Sequence, residues 1–236
     1  MELWLIVPVK PFHQGKSRLA AALSARDRAQ LSRQLLEHVL QVASRVEELA
    51  GVVVISRDAQ ALAQARKFAQ AQVLHEDRAI REEWGHAQDG PGEPGLNQAL
   101  TQAQAFAQAQ GADAVLVLPA DLPLLGPEDV RLLYRRGLEG PDRVVMAPSD
   151  DGGTNALLLR PPGAIPFRFG PDSCWRHWQL AQDRGLSVEV VSTSGLTLDL
   201  DAPRDLLRLK LGQAGAAPAP PLPFLQANAS GPQALR

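Results

Sequence analysis

Leu3-Trp4-Leu5-Ile6-Val7-Pro8-Val9 is an unbroken apolar run of strand length, the pattern of a β-strand covered on both faces. Outward from it the chain alternates. A polar stretch, 10–18, is followed by Ser24-Ala25-Arg26-Asp27, a helix start with Ser24 as cap and Asp27 three residues on. Leu31, Leu35, Val39, Val42, Val46 and Leu49 then recur every three or four positions, one face of an amphipathic helix that Gly51 is expected to end. Val52-Val53-Val54-Ile55 is a second buried strand and Ala114-Val115-Leu116-Val117-Leu118 a third. The periodicity predicts further helices over 58–72, 96–110, 127–138, 173–184 and 203–211. Shorter strands are expected over 72–75, 143–147, 156–159, 188–191 and 197–200. Strands alternating with helices predict an α/β fold whose sheet is mostly parallel, made mixed by the strands after 143.

Composition narrows the function classes. The 236 residues carry 24 Lys plus Arg against 26 Asp plus Glu, a net charge of −2. Such a chain has no polycationic character to drive binding to nucleic acid or an anionic membrane. The single cysteine, Cys174, excludes an intramolecular disulfide and a Cys-rich zinc site. The first apolar run lacks a basic leader and is broken by Pro8, and no run approaches the roughly 20 residues of a spanning helix. A cytoplasmic location is the expectation. Residues 1–211 read as one domain, with a polar Gly- and Pro-containing loop over 76–95. Residues 212–236 are Ala/Pro/Gly-rich and read as a disordered tail.

Open α/β sheets bind ligands beyond the carboxyl ends of their strands, so the chemistry is sought there. After the first strand, Lys10, Gly15, Lys16 and Arg18 combine charge with a flexible backbone that can wrap a polyphosphate; the alternative is an ordinary solvated loop. Gly15-Lys16-Ser17 resembles the end of a P-loop, but the first glycine of that motif would fall at Lys10, so the motif fails. After the strand at 114–118, Asp121 stands between Pro119 and Pro123, placed to ligate Mg²⁺; the alternative is a turn or cap aspartate. Asp199 and Asp201, at i and i+2 of an extended segment, share one face, where two like charges call for a cation; Asp201 could instead cap the last helix. Gly152-Gly153-Thr154-Asn155 is a tight loop with neutral donors. Gly170-Pro171-Asp172-Ser173 opens a helix whose amino end favours an anion, ordinary capping being the alternative. Gly95-Leu96-Asn97 opens another, where Asn97 could read a base or ribose. Cys174 with His177 three residues on could form a nucleophile and base, but lone cysteines are commonly packing residues.

In order along the chain, Val7-Pro8-Val9-Lys10, Gly15-Lys16-Ser17-Arg18-Leu19, Gly95-Leu96-Asn97, Leu118-Pro119-Ala120-Asp121-Leu122-Pro123, Asp151-Gly152-Gly153-Thr154-Asn155, Phe169-Gly170-Pro171-Asp172-Ser173 and Leu198-Asp199-Leu200-Asp201 resemble one family. It is the 2-phospho-L-lactate / phosphoenolpyruvate guanylyltransferase family of deazaflavin coenzyme (F-420) biosynthesis, matched from about residue 3 to 209. The resemblance implies a nucleotidyltransferase of the glycosyltransferase-A-like, three-layer sandwich type. It implies transfer of GMP from GTP to the phosphate of phosphoenolpyruvate or 2-phospho-L-lactate, with diphosphate leaving. By position, Asp121, Asp199 and Asp201 would hold Mg²⁺, and Thr154, Gly170 and Ser173 the phospho-acid. Lys10, Gly15, Lys16, Arg18 and Asn97 would meet the nucleotide, and Asp121, Lys16 and Arg18 would carry the catalysis. The next enzyme of the pathway is an implied partner. The first loop lacks the Gly-rich signature of sugar nucleotidyltransferases, which argues against a sugar substrate. The remaining alternatives are another acceptor on the same fold, 3-phosphoglycerate or a molybdopterin, and a non-catalytic nucleotide-binding protein.

Overall fold

A computed structural model describes residues 1–76 and 94–210. The loop expected over 76–95 falls, from 77 to 93, outside the described residues, as does the tail 212–236. Among the described residues seven strands form one sheet: β1 (Leu3–Pro8), β2 (Leu49–Ser56), β3 (Ala71–His75), β4 (Ala114–Val117), β5 (Arg143–Pro148), β6 (Thr154–Arg160) and β7 (Ser187–Val190). Their order is β3-β2-β1-β4-β6-β5-β7. β1 pairs in parallel with β2 and β4, β2 with β3, and β5 with β7; β6 runs antiparallel to both β4 and β5. The sheet is therefore mixed and mostly parallel, as expected.

The helices are α1 (Ala25–Ala43), α2 (Ala59–Ala65), α3 (Pro94–Ala109), α4 (Pro127–Leu138), α5 (Ser173–Asp183), the single turn α6 (Ser194–Thr197) and α7 (Pro203–Lys210), with a 3₁₀ turn at Ser17–Ala21. Because side chains alternate across a strand, β1 feeds two cores at once. Leu3, Leu5 and Val7 pack with Leu36, Val39 and Leu40 of α1, Leu62 of α2 and Leu133 of α4. Trp4 and Ile6 pack on the other face with Leu100 and Ala103 of α3 and Cys174 and Ala181 of α5. The result is a three-layer αβα sandwich with the sheet in the middle. No helix among the described residues is long and apolar enough to cross a membrane.

Four expectations need correction. α1 starts as read, with the Asp27 N–H donating to Ser24 Oγ at 3.2 Å, but it stops at Ala43, and Leu49 already belongs to β2. Gly51 therefore ends no helix. It sits in β2 opposite Trp4, where an added Cβ would lie 2.7 Å from the indole. The helix expected over 58–72 ends at Ala65, and Ala71 and Gln72 pair in β3. The strand expected over 197–200 is instead the end of α6 followed by an extended segment, because it makes no ladder with the sheet.

Candidate active site

The antiparallel course of β6 brings its amino end, Thr154 and Asn155, to the carboxyl ends of β1 and β4. Those ends border a cleft of about 630 Å³, within the usual range of roughly 300–1,000 Å³ for small-molecule sites. Lys10, Arg18, Asp121, Asp199 and Asp201 line it, as do Thr154, Gly170 and Ser173. Five separate segments of the sequence thus meet in one concavity.

The carboxylates are assembled by backbone and by one lysine. The Leu200 N–H donates to the Asp121 carbonyl at 3.0 Å, tying the 199–201 segment to the loop after β4. Asn155 Nδ2 donates to the carbonyls of Leu196 (2.9 Å) and Thr197 (3.2 Å), fixing the turn that delivers Asp199. Lys16 Nζ bridges Asp121 Oδ2 at 2.6 Å and Asp201 Oδ1 at 2.9 Å. Its backbone is left-handed (φ 57°), and Lys16 and Asp172 (φ 54°) are the two described non-glycine residues with positive φ. Both flank the cleft, where backbone strain commonly marks function. Burial alone would lower the Lys16 pKa, but Asp121 and Asp201 outweigh it and hold the ammonium charged.

Lys16 therefore corrects an expectation. Its side chain is only 7% exposed and lies behind the carboxylates, so it holds Asp121 and Asp201 and does not face the cleft. Gly15 likewise does not line the cleft. It packs against α1, where a Cβ would come within 2.8 Å of Ser32 Oγ. Asn97 does not line the cleft either: its amide donates to the Phe169 carbonyl (3.2 Å) and accepts from the Phe169 N–H (2.8 Å). It holds the loop that carries Gly170.

Asp201 is not the cap of α7. The side chain of Asp205 accepts from the N–H groups of Asp201 (3.0 Å) and Ala202 (2.6 Å), leaving the Asp201 carboxylate for Lys16. Burial would raise its pKa, but Lys16, with Arg18 and Lys10 beyond it, keeps it below the usual carboxylate range. Asp199 lacks that partner: burial, then the charges of Asp121 and Asp201, push it up to about 7. Asp121 Oδ1 is buried and has no hydrogen-bond partner among the described residues. An orphaned hard oxygen beside an overcharged carboxylate is the donor chemistry Mg²⁺ takes. With Lys16 between two of them, the three carboxylates do not converge as a ready-made metal cage, and no such cluster occurs among the described residues.

At the other wall, Thr154 Oγ1 lies 2.9 Å from Ser173 Oγ and 3.2 Å from His177 Nδ1. The amino end of α5 is less open than its sequence implied. The Ser173 N–H donates to the Gly170 carbonyl (3.2 Å) and the Cys174 N–H to that of Gly152 (3.3 Å). The hydroxyls, and not these two amides, are what this wall offers an anion. Cys174 is fully buried, and burial pushes its thiol up to about 12, so it is no nucleophile. The sequence reading took Asn155 for a neutral donor of its loop and His177 for a possible base beside Cys174; the structure instead ties Asn155 to the turn before Asp199 and sets His177 between Thr154 and the Arg168 N–H. Their signal was only an amide and an imidazole beside a Gly-rich loop and a helix start, which no pattern distinguishes.

The family model described as "Guanylyl transferase CofC like" matches residues 3–218. A phosphoenolpyruvate guanylyltransferase of Rubrobacter xylanophilus is 42% identical over 210 residues, 89% of this chain and 94% of that protein. A 2-phospho-L-lactate guanylyltransferase of Methanothermobacter thermautotrophicus is 36% identical over 206 residues, covering 87% and 83%. Among solved structures, a nucleotide-diphospho-sugar transferase of Desulfovibrio desulfuricans superposes with a TM-score of 0.69 at 19% identity, covering 98% of this chain and 96% of that one. At that identity the superposition speaks for the fold alone.

Proposed function

The chain belongs to the CofC-like guanylyl transferase family, and on that premise we propose that it transfers GMP from GTP to the phosphate of phosphoenolpyruvate and releases diphosphate. The observation that carries the reading is one cleft with unlike walls: cations and carboxylates on one side, a neutral hydroxyl pair on the other. 2-Phospho-L-lactate is the second acceptor to consider, since a relative named for it is 36% identical, against 42% for the one named for phosphoenolpyruvate. Residues 1–211 act as one catalytic domain.

A phosphate oxygen of the acceptor attacks the α-phosphorus of GTP; that P–O bond forms as the α–β bond breaks, and diphosphate carries away the electron pair. Nucleophile and electrophile are both anionic, so the chain's task is to hold them in line and screen their repulsion. Lys10 and Arg18 draw in the triphosphate, and Thr154, Gly170 and Ser173 seat the acceptor. Lys16 keeps Asp121 and Asp201 turned toward the cleft. Asp121, Asp199 and Asp201 would hold Mg²⁺, which when bound neutralises charge on the phosphates. The acceptor phosphate is already ionised near pH 7, so no protein base and no protein nucleophile are required.

The test is diphosphate release from GTP and Mg²⁺ with phosphoenolpyruvate, 2-phospho-L-lactate and 3-phosphoglycerate in turn, coupled to the next pathway enzyme and its deazaflavin acceptor. Release with phosphoenolpyruvate is expected. Release with none of the three, while GTP binds, would remove the guanylyltransferase reading.

A further inference from the structure

His177 is fully buried behind the hydroxyl wall and has no part in the reaction just outlined. Its two ring nitrogens have unlike neighbours. The Arg168 backbone N–H points at Nε2 from 2.9 Å. A backbone N–H can only donate, so Nε2 must carry a lone pair. The ring is neutral, because burial, then the charges of Arg168 and Arg176, push its pKa down to about 3. Its single proton therefore sits on Nδ1, 3.2 Å from Thr154 Oγ1.

Thr154 and Ser173 have two hydroxyl protons between them, and one fills their mutual 2.9 Å bond. With Nδ1–H donating to Thr154, the other proton is left over for a ligand. With the opposite tautomer, Nδ1 would take the Thr154 proton, Ser173 would donate to Thr154, and the wall would offer only lone pairs. An anion would then be repelled. The amides of Ser173 and Cys174 cannot substitute, since both are already committed.

We propose that His177 is a positioning residue for the acceptor: by donating from Nδ1 to Thr154 it turns the Thr154–Ser173 pair into a net hydrogen-bond donor toward an anionic group of the acceptor. The proposal rests on the guanylyltransferase reading for the identity of that acceptor. The same ring braces the acceptor loop. It meets Phe169 edge-on at 5.0 Å between centroids, and the successive N–H groups of Arg168 and Phe169 are taken by His177 and Asn97.

Two measurements test it. Nitrogen-15 shifts of the labelled wild-type protein, with His177 assigned by its loss in H177Q, should show a protonated Nδ1; a protonated Nε2 overturns the proposal. In kinetics, H177Q keeps an acceptor for Arg168 but loses the donor to Thr154, whereas H177N keeps a donor near the Nδ1 position. H177Q should raise the KM for phosphoenolpyruvate about 10- to 100-fold while that for GTP stays within about twofold, and H177N should recover most of the loss. Equal rises in both KM values, or none in H177Q, overturn it. If H177Q does not fold, H177N supplies the assignment and the tautomer of the wild type decides alone. Absence of transfer to any phospho-acid by the wild type would sink the guanylyltransferase reading instead, and the tautomer would still decide this one.

Discussion

Asp121 is gripped through one oxygen only. Oδ2 meets Lys16 at 2.6 Å while Oδ1, buried, meets nothing among the described residues. Native structures rarely leave a buried carboxylate oxygen unpaired, because the desolvation cost is of order 1–3 kcal/mol. Removing the side chain removes that unpaired oxygen along with one ion pair, and Asp201 retains Lys16. Asp121→Ala is expected to lower turnover at least about 100-fold with the fold intact, read by diphosphate release beside circular dichroism. A well-folded variant at full rate would strike Asp121 from the metal site. Ser173→Ala is expected to raise the KM for the acceptor about tenfold and leave that for GTP nearly unchanged, since it deletes one hydrogen bond to a charged group. An unmoved acceptor KM would take Ser173 out of that pocket. Both aspartate and serine were legible in the sequence as polar residues at a strand end and a helix start. Lys16 was legible as a cation but not by its role, because the spacing of 105 residues to Asp121 carries no local signal.

β1 and β2 meet where an aromatic lies over a glycine. Trp4 stands opposite Gly51 in the parallel ladder, and a Cβ at Gly51 would lie 2.7 Å from the indole ring. The indole is rigid and is also held edge-on by Phe106 of α3 at 6.2 Å. Gly51→Ala is expected to cost about 1–3 kcal/mol by overpacking, measured as a fall in the urea midpoint at unchanged slope. Measured in a Trp4→Val background the cost of Gly51→Ala should shrink; a purely additive pair would refute the contact as the cause. The element boundaries that misled the sequence reading share this origin. The apolar period of α1 runs on to Val46 and Leu49, but Leu49 follows the sheet because the pairing of β2 with β1 wins over helix period.

Two buried groups that titrate in opposite senses shape the stability of the molecule between pH 7.5 and 5. His177 is held neutral with a pKa near 3, below its ordinary 6.5, so its contribution is complete above pH 6.5 and is lost as pH falls toward 3. In the metal-free protein Asp199, raised to about 7, takes a proton more readily folded than unfolded, so acidification through 7 stabilises the fold and masks the loss. Asp199→Asn removes the masking group. That variant is expected to lose about 2 kcal/mol of stability between pH 7.5 and 5, measured by urea unfolding, and His177→Asn added to it should abolish the loss. A pH-independent Asp199→Asn protein would show that His177 is not held neutral. Such coupling belongs to the folded molecule alone, and so does much of the site. By itself the sequence determined the α/β class, the two-faced burial of the strands and the segments that border the cleft, because periodicity and strand ends are local properties of the chain. Only the tertiary structure decided that Lys16 lies behind the carboxylates, that Asn97 braces the loop carrying Gly170, and that His177 meets Thr154 behind the hydroxyl wall. Those outcomes depend on which side chains meet across 72 to 105 residues, or on which face of a helix turns inward, and the packing of the three layers fixes both.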